Sequence, residues 1–227
     1  VGFNSYTVLE SINGGSFSSV DTIPSEGTTT YTANGLSAST NYQFEVQTSD
    51  NRSQSTYSNV VAPTTVAGLT VSSSSSQTSA DVGQAVSFTC SAAGGTTPYS
   101  SYTWNFGDGT TGSGASVSHS YSQSGTKEAT CTVQDAYGSS ASSPPTTITV
   151  YTDPVATAPS ATPGAVQVGA TVTFSTSASG GSGGYSYSWS GLPSGCSNAN
   201  APSVTCSPTT ATTYGVTVTV TDSNGYS

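Results

Sequence analysis

Cations are almost missing from this chain: Arg52 and Lys127 are the only two, set against eleven carboxylates, for a net charge of -9. Binding through phosphate neutralisation needs several Lys or Arg, so a nucleic-acid partner is excluded. A polybasic membrane anchor is excluded on the same ground. Charged residues make up 6% of the chain, where about 25% is ordinary. Histidine occurs once, at His119, and no Cys-x-x-Cys spacing occurs, so the usual zinc ligand sets are absent and no cofactor is implied. No apolar run approaches the roughly 18 residues of a spanning helix, and no signal peptide is present. Methionine is missing even from position 1, which reads as a processed product or a window on a longer chain. Leucine stands only at 9, 36, 69 and 192, too sparse for long amphipathic helices.

Hydroxyl groups fill the space that charge leaves. Ser and Thr together exceed a third of the chain, well beyond ordinary usage. Thr, Val and Tyr favour a pleated, half-buried surface. Thirteen Tyr, six Phe and two Trp supply core material. Composition therefore points to an all-β chain with a neutral surface. Such a surface suits extracellular life under O-linked glycans, or in acid, where carboxylates lose their charge.

Three blocks repeat in order. Val82–Cys90 matches Val168–Thr176, Tyr102–Trp104 matches Tyr187–Trp189, and Thr130–Asp135 matches Thr217–Asp222, at offsets of 85 to 87 positions. Two tandem copies of one domain explain this, each of about 85 residues, the size of a small β-sandwich. Alternation puts Val86, Phe88 and Cys90 on one face. It does the same for Tyr102, Trp104 and Phe106, for Tyr185, Tyr187 and Trp189, and for Val216, Val218 and Val220. Turn clusters separate the strands: Gly94-Gly95, Gly107-Asp108-Gly109, Gly180-Gly181 and Asn224-Gly225. Ser72–Ser76 reads as a polar edge.

The first 66 residues follow another pattern. Tyr6–Leu9 and Ser16–Val20 read as strands around an Asn13-Gly14-Gly15 turn. Leu36 precedes Tyr42 by six residues, and Tyr42, Phe44 and Val46 alternate inward, a spacing that suits a tyrosine corner. Val60–Thr65 reads as the last strand, with Pro63 in the exit.

Leu36–Val46, with Tyr57–Val61, resembles the second half of a fibronectin type III domain, although Ala38 stands where that family often has Pro. The tandem units resemble PKD domains. Trp104-Asn-Phe-Gly-Asp-Gly109 matches that family's most recognisable motif, and Val133-Gln-Asp135 with Gly138 matches its later strand and turn. In the last unit Trp189-Ser-Gly-Leu-Pro193 replaces the motif, so its membership rests on the internal repeat. The resemblance implies tandem immunoglobulin-like β-sandwiches: a partial fibronectin type III-like domain at 1–66 and PKD-like domains at 67–152 and 153–227. It also implies an extracellular or cell-surface repeat protein of the archaeal or bacterial kind, acting as spacer, adhesion module or accessory domain.

Cys90, Trp104 and Cys131 follow the immunoglobulin order of an inter-sheet bridge packed on a Trp. Thr176 and Val218 hold the matching positions of the last unit, so the pair changes together. Cys196 and Cys206 then pair locally; the alternative is four free buried thiols. Disulfides imply an oxidising compartment.

Candidates for chemistry are few. His119 stands among serines, as chance alone would place it in so Ser-rich a chain, with no nucleophile elbow around it. It is expected to be a half-exposed strand residue, and the chain to be no enzyme. Gly107–Gly114 is glycine-rich but lacks the Lys of a phosphate loop. Asn105, Asp108 and Asp135 offer oxygens to calcium, but carboxylates are few and Asp108-Gly109 is a turn signal, so no metal site is assigned. Trp104, Trp189, Tyr102 and Tyr187 share the core face, whereas Tyr99, Tyr121 and Tyr137 are expected to be freer for a sugar platform. Asn51-Arg52-Ser53 is the one N-glycosylation sequon, making Asn51 the glycosylation candidate.

The expected role is a non-catalytic structural or adhesive module of a surface layer, filament or stalk. The rivals are a spacer of a secreted protease or chitinase and a glycan-binding module. Expected partners are neighbouring copies or repeats of the same protein, and glycans, with no membrane span in this segment. Both terminal sandwiches are expected to lack strands. A longer native chain would supply them; otherwise neighbouring subunits would donate them.

Overall fold

A computed structural model describes residues 2–227, and every regular element in them is a strand. The chain divides into two compact units. One holds the stretch up to Thr70 with Ala92–Ser100 and Gln134–Ser140; the other holds Val71–Ser91, Ser101–Val133 and Ala141–Ser227.

The first unit is built on β1 (Phe3–Ile12), β2 (Ser18–Ile23), β3 (Tyr42–Asp50) and β4 (Ser55–Tyr57), in the sheet order β2-β1-β3-β4. Asn13 and Gly14 both take positive φ, 52° and 78°, and Gly15 N–H closes the turn on the Ile12 carbonyl at 3.0 Å. That backbone requires residues that tolerate the left-handed region, which Asn-Gly supplies. Ser11, fully buried, donates to the Gly15 carbonyl at 2.7 Å and ties the same turn. Tyr42 is 4% exposed, and its hydroxyl accepts the Ser37 N–H at 2.8 Å, the expected link to the upstream backbone. Val60–Thr65 is not a strand. It keeps only isolated bridges, Phe44↔Val61 and Asn41↔Thr64, while β4 takes the edge beside β3. The reason is Pro63, which has no N–H for a ladder, together with the exposure of Val60 and Val61. Tyr6, Val8, Ile23 and Val46 line a cavity of about 350 Å³ under the irregular segment 28–31.

The first repeat contains β5 (Thr70–Ser75), β6 (Ser79–Asp81), β7 (Ala85–Ala93), β8 (Ser101–Asn105), β9 (Thr111–Ser113), β10 (Ser116–Ser120), β11 (Gly125–Gln134), β12 (Ser140–Ser142) and β13 (Thr146–Tyr151). One sheet runs β10-β7-β5; the other runs β6-β13-β11-β8-β9, with β12 also on β11. The serine run falls in β5, at an edge. Val86, Phe88, Trp104, Phe106, Val133, Ile148 and Val150 are buried between the sheets. The Trp104 indole N–H reaches the Gly114 carbonyl at 3.0 Å, so burying it leaves no donor unpaired.

The second repeat contains β14 (Val155–Ala156), β15 (Ser160–Thr162), β16 (Val172–Ser175), β17 (Ala178–Ser179), β18 (Ser186–Ser190), β19 (Ser203–Cys206) and β20 (Thr217–Thr221). Its sheets are smaller: β14-β17, β15-β16-β19 and β18-β20. Val172, Phe174, Trp189 and Val204 form its core. The Trp189 indole N–H reaches the Ala201 carbonyl at 2.9 Å, the counterpart of the Trp104 bond. The first half of β11 pairs with β13, and β11 runs ten residues. Its counterpart β20 covers only the second half and runs five. Beside it a cavity of about 360 Å³ opens onto Val166, Val172, Phe174 and Tyr214.

Candidate functional site

Cys90 on β7 and Cys131 on β11 are bonded across the two sheets, with Cα atoms 6.2 Å apart. Cys196 and Cys206 are bonded with Cα atoms 5.1 Å apart, and both pack on the second core. The cross-link of the second repeat thus joins β19 to the loop before it.

His119 lies on β10, and its Nε2 stands 2.8 Å from Asp108 Oδ2. Its ring stacks on Phe106 at 4.1 Å and meets Tyr121 edge-on at 4.6 Å. Asp108 Oδ1 accepts the Thr110 N–H at 2.9 Å and the Thr110 hydroxyl at 2.6 Å. Burial alone would raise the Asp108 pKa, but Thr110 and His119 outweigh it and hold the carboxyl at about 2. This cluster closes the Gly107–Gly109 turn; its groups are engaged with one another. Asn105 Oδ1 likewise accepts the Gly107 N–H at 2.9 Å.

Tyr121 is not exposed. It is fully buried, its hydroxyl reaches the Phe106 carbonyl at 3.2 Å, and burial pushes its pKa up to about 12. The alternation 117, 119, 121 carries it inward from β10, so it cannot belong to a sugar platform. Tyr99 is half-buried and donates to the Gly94 carbonyl at 3.0 Å. Tyr137 is 84% exposed. Asn51 is exposed in the β3–β4 turn, where Asp50 Oδ1 accepts the N–H groups of Arg52 and Gln54 at 2.8 and 2.9 Å.

Asp135 is not a free ligand either. It is buried, and its carboxylate accepts three backbone N–H groups: Thr96 at 3.0 Å, Tyr137 at 2.9 Å and Ser139 at 2.9 Å. These bonds, the one from Thr96 foremost, lower its pKa. The second repeat reproduces the device. Asp222 accepts the N–H groups of Ser182 at 2.7 Å, Asn224 at 3.0 Å and Tyr226 at 3.1 Å. Burial would raise its pKa, but these donors prevail and lower it. Among the described residues no cluster of three or more His, Cys, Asp or Glu could hold a metal ion.

Each Asp belongs to a clamp on the chain segment that enters its repeat. Gly95 N–H donates to the Ala67 carbonyl at 2.7 Å, and Gly181 N–H donates to the Thr152 carbonyl at 2.7 Å. Both glycines take positive φ, and a Cβ on either would strike the Asp carboxylate beside it. Glycine is required there for conformation and for close approach. Tyr99 and Tyr185 hydroxyls cover the adjacent Gly94 and Gly180 carbonyls. Gly-Gly, Tyr and Asp are all visible in the repeated sequence, but far apart, and only the fold shows that they grip the linkers.

A second set of interactions has no sequence signal. Asn224, at the tip of the Asp222 turn, reaches back to β6 of the first repeat. Its Nδ2 donates to Asp81 Oδ2 at 2.8 Å, its Oδ1 accepts the Ser79 hydroxyl at 2.7 Å, and its carbonyl accepts Gln84 Nε2 at 3.2 Å. Asp81 is fully buried, and its Oδ1 has no hydrogen-bond partner. Burial raises the Asp81 pKa; the Asn224 amide opposes the rise, and Asp222 and Asp153 add to it.

Models of the PKD domain match residues 69–150 and 155–227. No curated protein matches the chain in sequence. Among solved structures, the amphioxus IgVJ-C2 molecule aligns at 19% identity and TM-score 0.32, over 66% of this chain and 91% of that one. Fibronectin(III)-like modules of Clostridium thermocellum CbhA align at 14% identity and TM-score 0.34, over 70% and 88%. The chicken CNTN1 FN1–FN3 domains align at 12% identity and TM-score 0.36, over 99% and 85%. PKD domains are typically non-catalytic modules, and with the two disulfides they are consistent with an extracellular location. The chain is an extracellular-type β-sandwich protein of the PKD family, with two PKD domains in tandem after a fibronectin type III-like region.

Proposed function

We propose that this chain is a non-catalytic structural or adhesive repeat module of an extracellular surface layer, filament or stalk. Its modules would run 1–66, 67–152 and 153–227, with a clamp at each boundary. The observation that carries the reading is the duplicated clamp. Asp135 and Asp222, two of the few buried carboxylates, engage backbone N–H groups beside the entering linkers. His119 and Asp108 close a turn in the same way. Polar groups that could have served chemistry hold module geometry instead. The partners are neighbouring copies or repeats, and glycans.

The test is fractionation of the native source, followed by immunolabelling of whole cells. The native polypeptide should stay with the envelope or filament fraction, with antibody decorating surface fibres. Recovery as a soluble polypeptide with protease or chitinase activity of its own would overturn the reading in favour of a hydrolase spacer.

Few charges and many hydroxyls leave hydration to hydroxyl groups and to sugars attached to them. O-linked glycans, and an N-linked glycan on the exposed Asn51, are therefore expected. Intact mass and glycopeptide analysis of native material should show this segment heavier than its 22.5 kDa of polypeptide. An unmodified mass would refute it.

A further inference from the structure

Two buried carboxyls meet where the PKD domains join. Asp81, from β6 of the first domain, is 0% exposed, and Asp222, from the end of β20 of the second, is 5% exposed. Their side chains lie within hydrogen-bonding reach of each other. The charged groups acting on Asp81 are carboxylates, Asp222 and Asp153. The Tyr226 hydroxyl lies beside the Gly83 turn that follows β6. The remaining neighbours, Ser79, Gln84 and Asn224, are neutral and already bonded.

Two ionised carboxylates side by side inside a dry joint repel each other, and neither has a hydrogen to offer. Asp222 has its acceptor capacity filled by three N–H groups. Asp81 has one oxygen on Asn224 and one with no partner, and a buried polar atom without a partner is costly. One proton resolves both defects. On the Asp81 carboxyl it removes one charge, turns the carboxyl into a donor, and gives Asp222 that hydrogen. The Asn224 bond is untouched.

We infer that the joint between the two PKD domains is a one-proton latch, in which Asp81 and Asp222 share a single hydrogen and hold the domains together only while it is bound. The proton comes from water and returns to it; no other reactant is involved. The pH dependence follows from the two directions of shift. Asp81 has a raised pKa, so its contribution is full in acid and is lost as pH rises through that raised value. Asp222 has a lowered pKa, so its contribution is present above the ordinary carboxylate value and is lost as pH falls through the lowered one. The latch is closed between the two, in mild acid, and opens toward neutrality.

The Asn224 side-chain amide reports on it directly, because its Nδ2 bonds across the joint. In the 227-residue chain, its hydrogen exchange is measured by NMR from about pH 4 to about pH 8, corrected for the intrinsic rate. Protection should be greatest in mild acid. It should fall about tenfold per pH unit once Asp81 ionises, as release of one proton requires. Asp81→Asn places a neutral amide where the protonated carboxyl stood, so protection should persist into the neutral range. Asn224→Ala should let the domains tumble independently at every pH in 15N relaxation while both cores stay folded. Protection that is flat with pH in the unaltered chain overturns the latch. So does an Asp81→Asn chain that loses protection at the same pH. If that variant does not fold, the titration of the unaltered chain decides alone.

Discussion

Replacing Cys90 and Cys131 together by alanine is expected to destabilise the first PKD domain by about 4 kcal/mol, the loop-closure entropy for a separation of 41 residues. The bond joins β7 to β11, one strand from each sheet, and its ends are 4% and 0% exposed. Without it the unfolded chain regains the freedom that the cross-link removed. The bond between Cys196 and Cys206 closes a separation of only 10 residues, and for the same replacement there the entropy argument gives about 2.5 kcal/mol. Denaturant unfolding of the two double variants beside the unaltered chain separates them by midpoint. A loss at Cys196–Cys206 as large as that at Cys90–Cys131 would show that chain entropy does not set the effect.

The two disulfides also show how differently the repeats expose themselves to sequence reading. The first keeps the immunoglobulin order of Cys, Trp and Cys, and its alternating strands announce which side chains point inward. Val86, Phe88, Trp104, Phe106 and Val133 can be placed without coordinates because period-two patterns map directly onto faces of a sheet. The tyrosine corner at Tyr42 is legible for a similar reason, since its spacing fixes its partner. Tyr121 is not, because it lies one residue past the end of β10, among serines that give no apolar pattern to follow. Val60–Thr65 misleads in the opposite way: two valines suggest a strand, yet Pro63 denies it a ladder.

Legibility is lower at the joints. Gly95 and Asp135 are 40 positions apart, and nothing local says that the glycines bring a linker carbonyl and a carboxylate to one place. The repeat supplies a clue, since Gly180-Gly181 and Asp222 recur at nearly the same spacing. Asp81 and Asn224 give none. They sit in different domains, each occurs once, and an Asn-Gly turn reads as a turn whether or not its tip docks on a neighbour. Local signals report turns and faces; long-range polar bonds between modules depend on the fold that brings them together.

The second large effect is expected at the tryptophans. Trp104 is 2% exposed and Trp189 is 3% exposed, and each indole N–H bonds a carbonyl of its own domain. Replacement of either by alanine should destabilise its domain by about 3–5 kcal/mol, combining lost burial with the cavity left behind. The consequences should nevertheless differ. The first domain retains Val86, Phe88, Phe106, Ile148, Val150 and an inter-sheet disulfide around the gap. The second retains Val172, Phe174 and Val204 in its buried cluster, with two of its sheets reduced to pairs of strands. Small domains have about 5–15 kcal/mol in all, and the thinner core stands nearer the lower limit. Trp189→Ala should therefore unfold residues 155–227 at ambient temperature while the first domain still melts cooperatively. Trp104→Ala should lower one melting transition and leave the second domain folded. Domain-resolved amide protection from hydrogen exchange would show which happens. A second domain that stays protected in Trp189→Ala would mean that its core is closed by more than these side chains.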